Sequence, residues 1–163
     1  MHVVPMVQRC NNDLIGVGAQ VDVEKDEMLE RVTWGNAIVS RLKPLNEWAD
    51  ITDPASGYPI HSQPGASPYP DVQGTQTLLR YDTQSTGCCH VLLHPSWGSS
   101  IYPATLFTSA DPETFARVVG EVEREAQVGE DELESGGEGK LGDLSHNSNT
   151  LAFVKGWDIA RLA

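Results

Sequence analysis

The stretch that most restricts the fold is Thr86-Gly87-Cys88-Cys89-His90-Val91-Leu92-Leu93-His94, followed by Pro95-Ser96-Trp97-Gly98 and an apolar run from Ser100 to Thr108. Two β-capable segments joined by so short a link read as an antiparallel hairpin. Successive side chains of a strand point to opposite faces. One face then receives Cys89, Val91 and Leu93, an apolar row suited to a core. The other receives Cys88, His90, Leu92 and His94, a mixed row with one thiol and two imidazoles. This alternation predicts Cys89 as packing and Cys88 as the thiol available for chemistry.

With 163 residues the chain can bury a core in one domain without disulfides or metal. The formal net charge is -12, and it is spread along the whole chain: residues 1–127 carry 16 acidic and 8 basic residues, residues 128–163 carry 7 and 3. With no basic patch in either part, nucleic acid and anionic membrane are excluded as partners. The three cysteines are an odd number and none lies in a CxxC spacing. Neighbouring cysteines bridge only through a strained ring, so free thiols and a reducing compartment are expected. No apolar run reaches membrane length. The N-terminus resembles neither a secretory signal nor a transit peptide, and a cytoplasmic protein is expected.

In chain order, residues 2–8 read as a strand that Pro5 pushes towards an edge or a bulge. Gly16-Val17-Gly18 is a turn rather than a dinucleotide loop. A helix is predicted over Asp22 to Leu42, with Glu24, Asp26 and Glu27 in its first turns and Pro44 beyond its end. Its stripe is Met28, Val32, Gly35, Val39 and Leu42, with Gly35 allowing close approach to a neighbouring backbone. Trp48-Ala49-Asp50-Ile51-Thr52-Asp53-Pro54-Ala55-Ser56-Gly57 mixes large hydrophobes with turn chemistry. Asp50 and Asp53 could be a metal or acid–base pair, but turn-capping carboxylates are the preferred reading. Residues 58–77 read as a long surface loop, Leu78 to Tyr81 as a strand, and Ser99 to Thr108 as a strand that Pro103 marks as an edge or bulge. Asp111 is an N-cap with Pro112 at the first helical position, and Phe115, Val118, Val119 and Val122 form the buried face. Residues 128–163 form an acidic, Gly-rich tail, read as a disordered linker over 128–149 and a short apolar end that docks but cannot fold alone.

Three chemistries suit the Cys88 region. Cys88 and His90, ~7 Å apart on one face at ~3.3 Å rise per residue, could share a metal, but two ligands are too few for structural zinc and His94 is out of reach. Cys88 as a nucleophile with His90 as base suffers from parallel side chains and lacks an evident oxyanion donor. A thiolate that ligates a metal centre supplied by another molecule needs only exposure. Cys10 reads as a small core hydrophobe, the default for a free cysteine. Phosphate-loop, HExxH and cobalamin-binding DxHxxG patterns are absent from the sequence.

The WAD-x-x-DP-x-SG stretch at Trp48–Gly57, with Gly87-Cys88-Cys89-His90-Val91, Trp97-Gly98 and Thr105-Leu106-Phe107-Thr108, resembles the C-terminal domain of the methylmalonic aciduria and homocystinuria type D family (cblD), the cobalamin-trafficking adaptors. The resemblance covers about His2 to Gln127. It implies an α+β, nitroreductase-like fold of antiparallel sheet and packed helices, without flavin, and a non-enzymatic role. It further implies a heterodimer with a cblC-type cobalamin-processing protein and delivery of cobalamin (vitamin B12) to methionine synthase and methylmalonyl-CoA mutase. No cofactor is expected on the chain alone. Cys88, the first cysteine of the motif, becomes the thiolate donor to the cobalt of partner-held cobalamin. Family members also act in the mitochondrion, for which this chain shows no leader. The competing expectation is a flavin- or thiol-dependent oxidoreductase of the same fold.

Overall fold

The computed structural model describes residues 1–13, 20, 32–87, 90–135 and 157–159. The elements are β1 (His2–Arg9), α1 (Thr33–Leu42), a 3-10 turn (Lys43–Leu45), β2 (Ala49–Ile51), α2 (Asp71–Leu79), β3 (Asp82–Ser85), β4 (His90–Leu93), β5 (Ile101–Thr108), α3 (Pro112–Ser135) and β6 (Trp157–Ile159). One antiparallel sheet has the order β2-β5-β1-β6, and β3 and β4 form a second, two-stranded sheet. The α+β class with antiparallel sheets and packed helices is thus the observed one.

The larger sheet is covered on both faces. Val4 and Met6 of β1 lie opposite Leu106 and Ala104 of β5 and join Trp34, Ile38, Leu42, Phe115, Val118 and Val122 in the main core. Val7 and Ile101, of the opposite parity, pack with Leu92, Val72, Tyr81 and Trp97 on the other face. Two-sided burial is why residues 3–7 form an unbroken apolar run instead of an alternating one. Arg41 of α1 pairs with Glu125 of α3 at the margin of the main core.

β1 and β5 are the two inner strands, so neither proline marks a sheet edge. The reason is local. Thr105 sends its N–H to Thr52 Oγ1 and its carbonyl to the Thr52 N–H, both on the β2 side. Pro103, two residues earlier, has its nitrogen on that same side, before the stretch of β5 that β2 covers (Leu106 to Thr108). Pro5, opposite Thr105, likewise faces away from β5, and β6 covers only Met6 to Gln8 of β1. Each missing donor falls where no neighbouring strand needs it.

Several expectations are corrected. The Thr86–His94 strand does not pair with the Ser99–Thr108 strand: β4 pairs with β3, and only His94 and Gly98 bridge across the turn. β1 takes one hydrogen-bonding edge of β5 along its whole length; on the other edge β2 takes Leu106 to Thr108, and Pro103 removes a donor from the part nearer the turn. Leu78 and Leu79 end helix α2, Arg80 caps it in the left-handed conformation, and the next strand starts at Asp82. The 58–77 segment therefore contains most of a helix. Helix α3 continues to Ser135, past the compositional change at Gln127, and Met6, Val7 and Gln8 of β1 pair with β6 in the chain's last stretch. The first half of the helix predicted over Asp22 to Leu42, with Met28 and the acidic residues, lies outside the described residues, as does Gly16-Val17-Gly18.

The remaining helix signals hold. Asp111 Oδ1 accepts the N–H groups of Glu113 and Thr114, each at 3.0 Å, and these bonds hold its carboxyl below the ordinary range. Val32, Gly35 and Leu42 are buried and Val39 partly so. The close approach at Gly35 is to a side chain, not a backbone: a Cβ there would overlap Ile51 Cδ1. Gly35→Ala is expected to lower stability by about 1 kcal/mol, overpacking of roughly 1–3 kcal/mol outweighing the gain in helix propensity of about 1. Ile51→Val removes that methyl, so urea denaturation of the double variant should show a loss smaller than the sum of the singles.

Candidate functional site

Cys88 and Cys89 lie outside the described residues, but the strand they enter is described. In β4, His90 is exposed opposite Ser85, Val91 and Leu93 are partly buried, and Leu92 is buried. His94, the next residue, is only 7% exposed. The buried positions are therefore 92 and 94, of the row expected to carry the accessible thiol, while the row expected to be core is only half-buried. The cause is the second sheet: Leu92 meets Val7 and Ile101, which project from the larger sheet on that side. Alternation within β4 consequently does not separate the two cysteines.

His94 is a structural residue. Its Nδ1 accepts the backbone N–H groups of Ser96 (3.1 Å) and Trp97 (3.2 Å), which places the ring proton on Nε2. The ring stacks on Trp97 at 4.1 Å and meets Tyr81 edge-on at 5.3 Å. A His opening a Pro-Ser-Trp-Gly turn is the signal from which this cap could have been read. Cys10 is buried, its Sγ 3.8 Å from the Gln8 carbonyl oxygen, in keeping with a packing role. Among the described residues, no group of three or more His, Cys, Asp or Glu side chains is placed to hold a metal ion. No helix among them is long and apolar enough to cross a membrane.

The WAD-x-x-DP-x-SG stretch builds a cavity. Asp53 Oδ2 accepts the Ser56 hydroxyl at 2.6 Å and its Oδ1 accepts the Ala55 N–H at 3.3 Å, which folds the Asp53-Pro54 turn. Gly57 follows at φ +71, and its carbonyl accepts the Tyr69 N–H at 2.8 Å, closing the proline-rich segment onto β2. Asp50 Oδ1 accepts the N–H groups of Ile51 (2.8 Å) and His61 (3.0 Å). Both aspartates thus hold backbone, the preferred reading. Under this segment lies a cavity of about 270 Å³ whose walls include Trp48, Asp50, Gln63, Tyr69 and Phe107, the last two packed edge-to-face at 5.0 Å.

Beside it is a polar cluster that sequence reasoning missed. Asp71, 9% exposed at the start of α2, accepts the hydroxyls of Thr105 (2.6 Å) and Thr52 (2.9 Å) on Oδ1. Burial pushes its carboxyl up to about 6, against the two hydroxyl bonds, with Asp53 adding to the rise. Only the Pro70-Asp71 pair hinted at a helix start here, and no apolar period reinforced it.

Residues 1–118 match the family described as methylmalonic aciduria and homocystinuria type D protein, a span that includes the cavity-forming stretch and the Gly-Cys-Cys motif. The chain is similar to the cobalamin trafficking protein CblD of Homo sapiens, with 25% identity over 113 residues, and of Gallus gallus, with 27% over 118 residues. Each match covers 69% of this chain and 38% of the relative, so the chain spans well under half the length of those proteins. These relatives are named for trafficking rather than for a catalysed reaction. With the family match running through eight of the ten described elements, from β1 to β5, and into α3, the chain belongs to the methylmalonic aciduria and homocystinuria type D protein family.

Proposed function

We propose that this chain is a cobalamin-trafficking adaptor that binds a cblC-type processing protein and offers the Cys88 thiolate to the cobalt of the cobalamin its partner holds. The observation that carries this reading is the family match over residues 1–118, which includes both the WAD-x-x-DP-x-SG and Gly-Cys-Cys stretches. Cys88 is chosen by its place as the first cysteine of that motif. A thiolate is a soft donor and suits a cobalt centre. The cavity of about 270 Å³ falls below the range of ordinary small-molecule sites and is far too small for a corrinoid, in keeping with cargo held by the partner. On this reading the fold is a nitroreductase-like one used without flavin. The cobalamin goes to methionine synthase and methylmalonyl-CoA mutase, with the handover in the cytoplasm.

Mixing the chain with partner-bound cob(II)alamin should change the optical and EPR spectra of the cobalt. Cys88→Ser should abolish the change and Cys89→Ser should preserve it. The opposite pattern would transfer the ligand role to Cys89 and defeat the assignment.

A further inference from the structure

We infer that the cavity between Trp48, Asp50, Tyr69 and Phe107 receives the guanidinium of an arginine side chain presented by a protein partner. Asp50 lines this cavity and is only 2% exposed. Its Oδ1 is satisfied by two backbone N–H groups, whereas its Oδ2 is buried with no hydrogen-bond partner among the described residues. A buried carboxylate oxygen without a donor is costly and calls for a physical reason. Among the described residues no Lys, Arg or His lines the cavity, which leaves the place of that donor to a visiting group.

The walls select among donors. Three aromatic rings suit a planar, weakly hydrated guanidinium better than a compact, strongly hydrated ammonium. Ser62, Gln63 and Ser67 also line the cavity, and residues of this kind offer hydroxyl, amide and carbonyl acceptors for the remaining guanidinium N–H groups. At about 270 Å³ the space fits one long side chain rather than a whole cofactor. Trp48 at the wall is 47% exposed, and a half-exposed indole beside a pocket is characteristic of protein–protein hot spots. The net charge of -12 favours a cationic visitor. The adaptor reading supplies only the source of the arginine; the chemistry of the cavity stands apart from Cys88.

The test is a titration of the full chain with N-acetyl-arginine-N-methylamide, followed by Trp48 fluorescence and by the amide resonances of Asp50 and His61. A saturable response is expected, with little or none from the citrulline analogue, which has the same shape without the charge. Asp50→Asn should weaken binding about tenfold or more. Ser67→Trp, which fills the cavity from an exposed loop position and leaves the Asp50 bonds alone, should block it. If Asp50→Asn fails to fold by circular dichroism, Ser67→Trp decides the matter. Absence of saturation, an equal response to the citrulline or lysine analogue, or full affinity in Ser67→Trp would overturn the inference. Cys88→Ser should leave this titration unchanged, so failure here and failure of the cobalt assignment are told apart.

Discussion

Gly57→Ala should lower the melting temperature by about 6–9 °C, the largest loss expected from removing no side chain at all. Two effects add. At φ +71 an L side chain sits in the left-handed region, which costs roughly 1–2 kcal/mol. The new Cβ would also lie 2.5 Å from the Tyr69 carbonyl oxygen and 3.1 Å from Pro68 Cβ. The first of these is backbone, so relief requires opening the Gly57–Tyr69 closure and loosening its hydrogen bond, worth about 1 kcal/mol. The total is about 2–3 kcal/mol, and each kcal/mol moves the midpoint of a chain this size by about 3 °C. Two comparison variants separate the causes. Gly98 has φ +58 but open space around it, so Gly98→Ala should show only the conformational part. Gly65 has open space and no positive φ, so Gly65→Ala should change stability by less than about 0.5 kcal/mol. Equal melting temperatures for the variants at 57 and 98 would refute the steric half of the account. The arginine titration should also weaken in Gly57→Ala, because the segment that roofs the cavity hangs from this glycine.

The second large effect depends on pH. Asp71 has a folded-state pKa of about 6, above the ordinary 3.8, because it is buried. The folded protein therefore holds this proton more tightly than the unfolded chain does. The stability linked to Asp71 is fully present below about pH 3.8 and is lost as pH rises through about 6. Two pKa steps correspond to about 3 kcal/mol, the ceiling for the loss reached at pH 7 and above. Asp71→Asn keeps an oxygen to accept from Thr52 and Thr105 but cannot ionise. It should be more stable than the parent by up to about 3 kcal/mol at pH 8, with the difference shrinking to near zero at pH 4. Urea denaturation across that range would show it, and a difference independent of pH would show that the carboxyl is not neutral in the folded state near pH 5. Asp53→Asn should shift the parent's transition slightly downward, since the Asp53 charge is one cause of the rise.

What the sequence made legible was local. The Asp111 cap, the Asp53 turn, the stripe through Val32, Gly35 and Leu42, and the buried face at Phe115, Val118 and Val122 each depend on residues within a turn or two of one another. Spacing reports such relations directly. The family resemblance was legible for a similar reason, since Trp48–Gly57 and Gly87–Val91 are short contiguous motifs. The short helix at Asp71–Leu79 was not legible: it has only two buried residues, Asp71 and Thr75, both polar, so no apolar period announces it. The row assignment in β4 failed for a related reason. Val91 and Leu93 look like core beside His90 and His94, and nothing nearby in the chain reveals that a turn satisfies His94 from within.

By itself, then, the amino-acid sequence determined the class of fold, the Asp111 cap, the turn chemistry at Asp53 and the family. Tertiary structure alone decided which strands pair, which face of β4 turns inward, and that Thr52, Asp71 and Thr105 meet. It alone also brought Trp48, Asp50, Tyr69 and Phe107 around one cavity. The physical reason is that a hydrogen-bonding edge or a buried face is chosen by competition among elements far apart in the chain. β5 gives one whole edge to β1 and part of the other to β2, Pro103 interrupts the remainder, and β4 pairs with β3 instead.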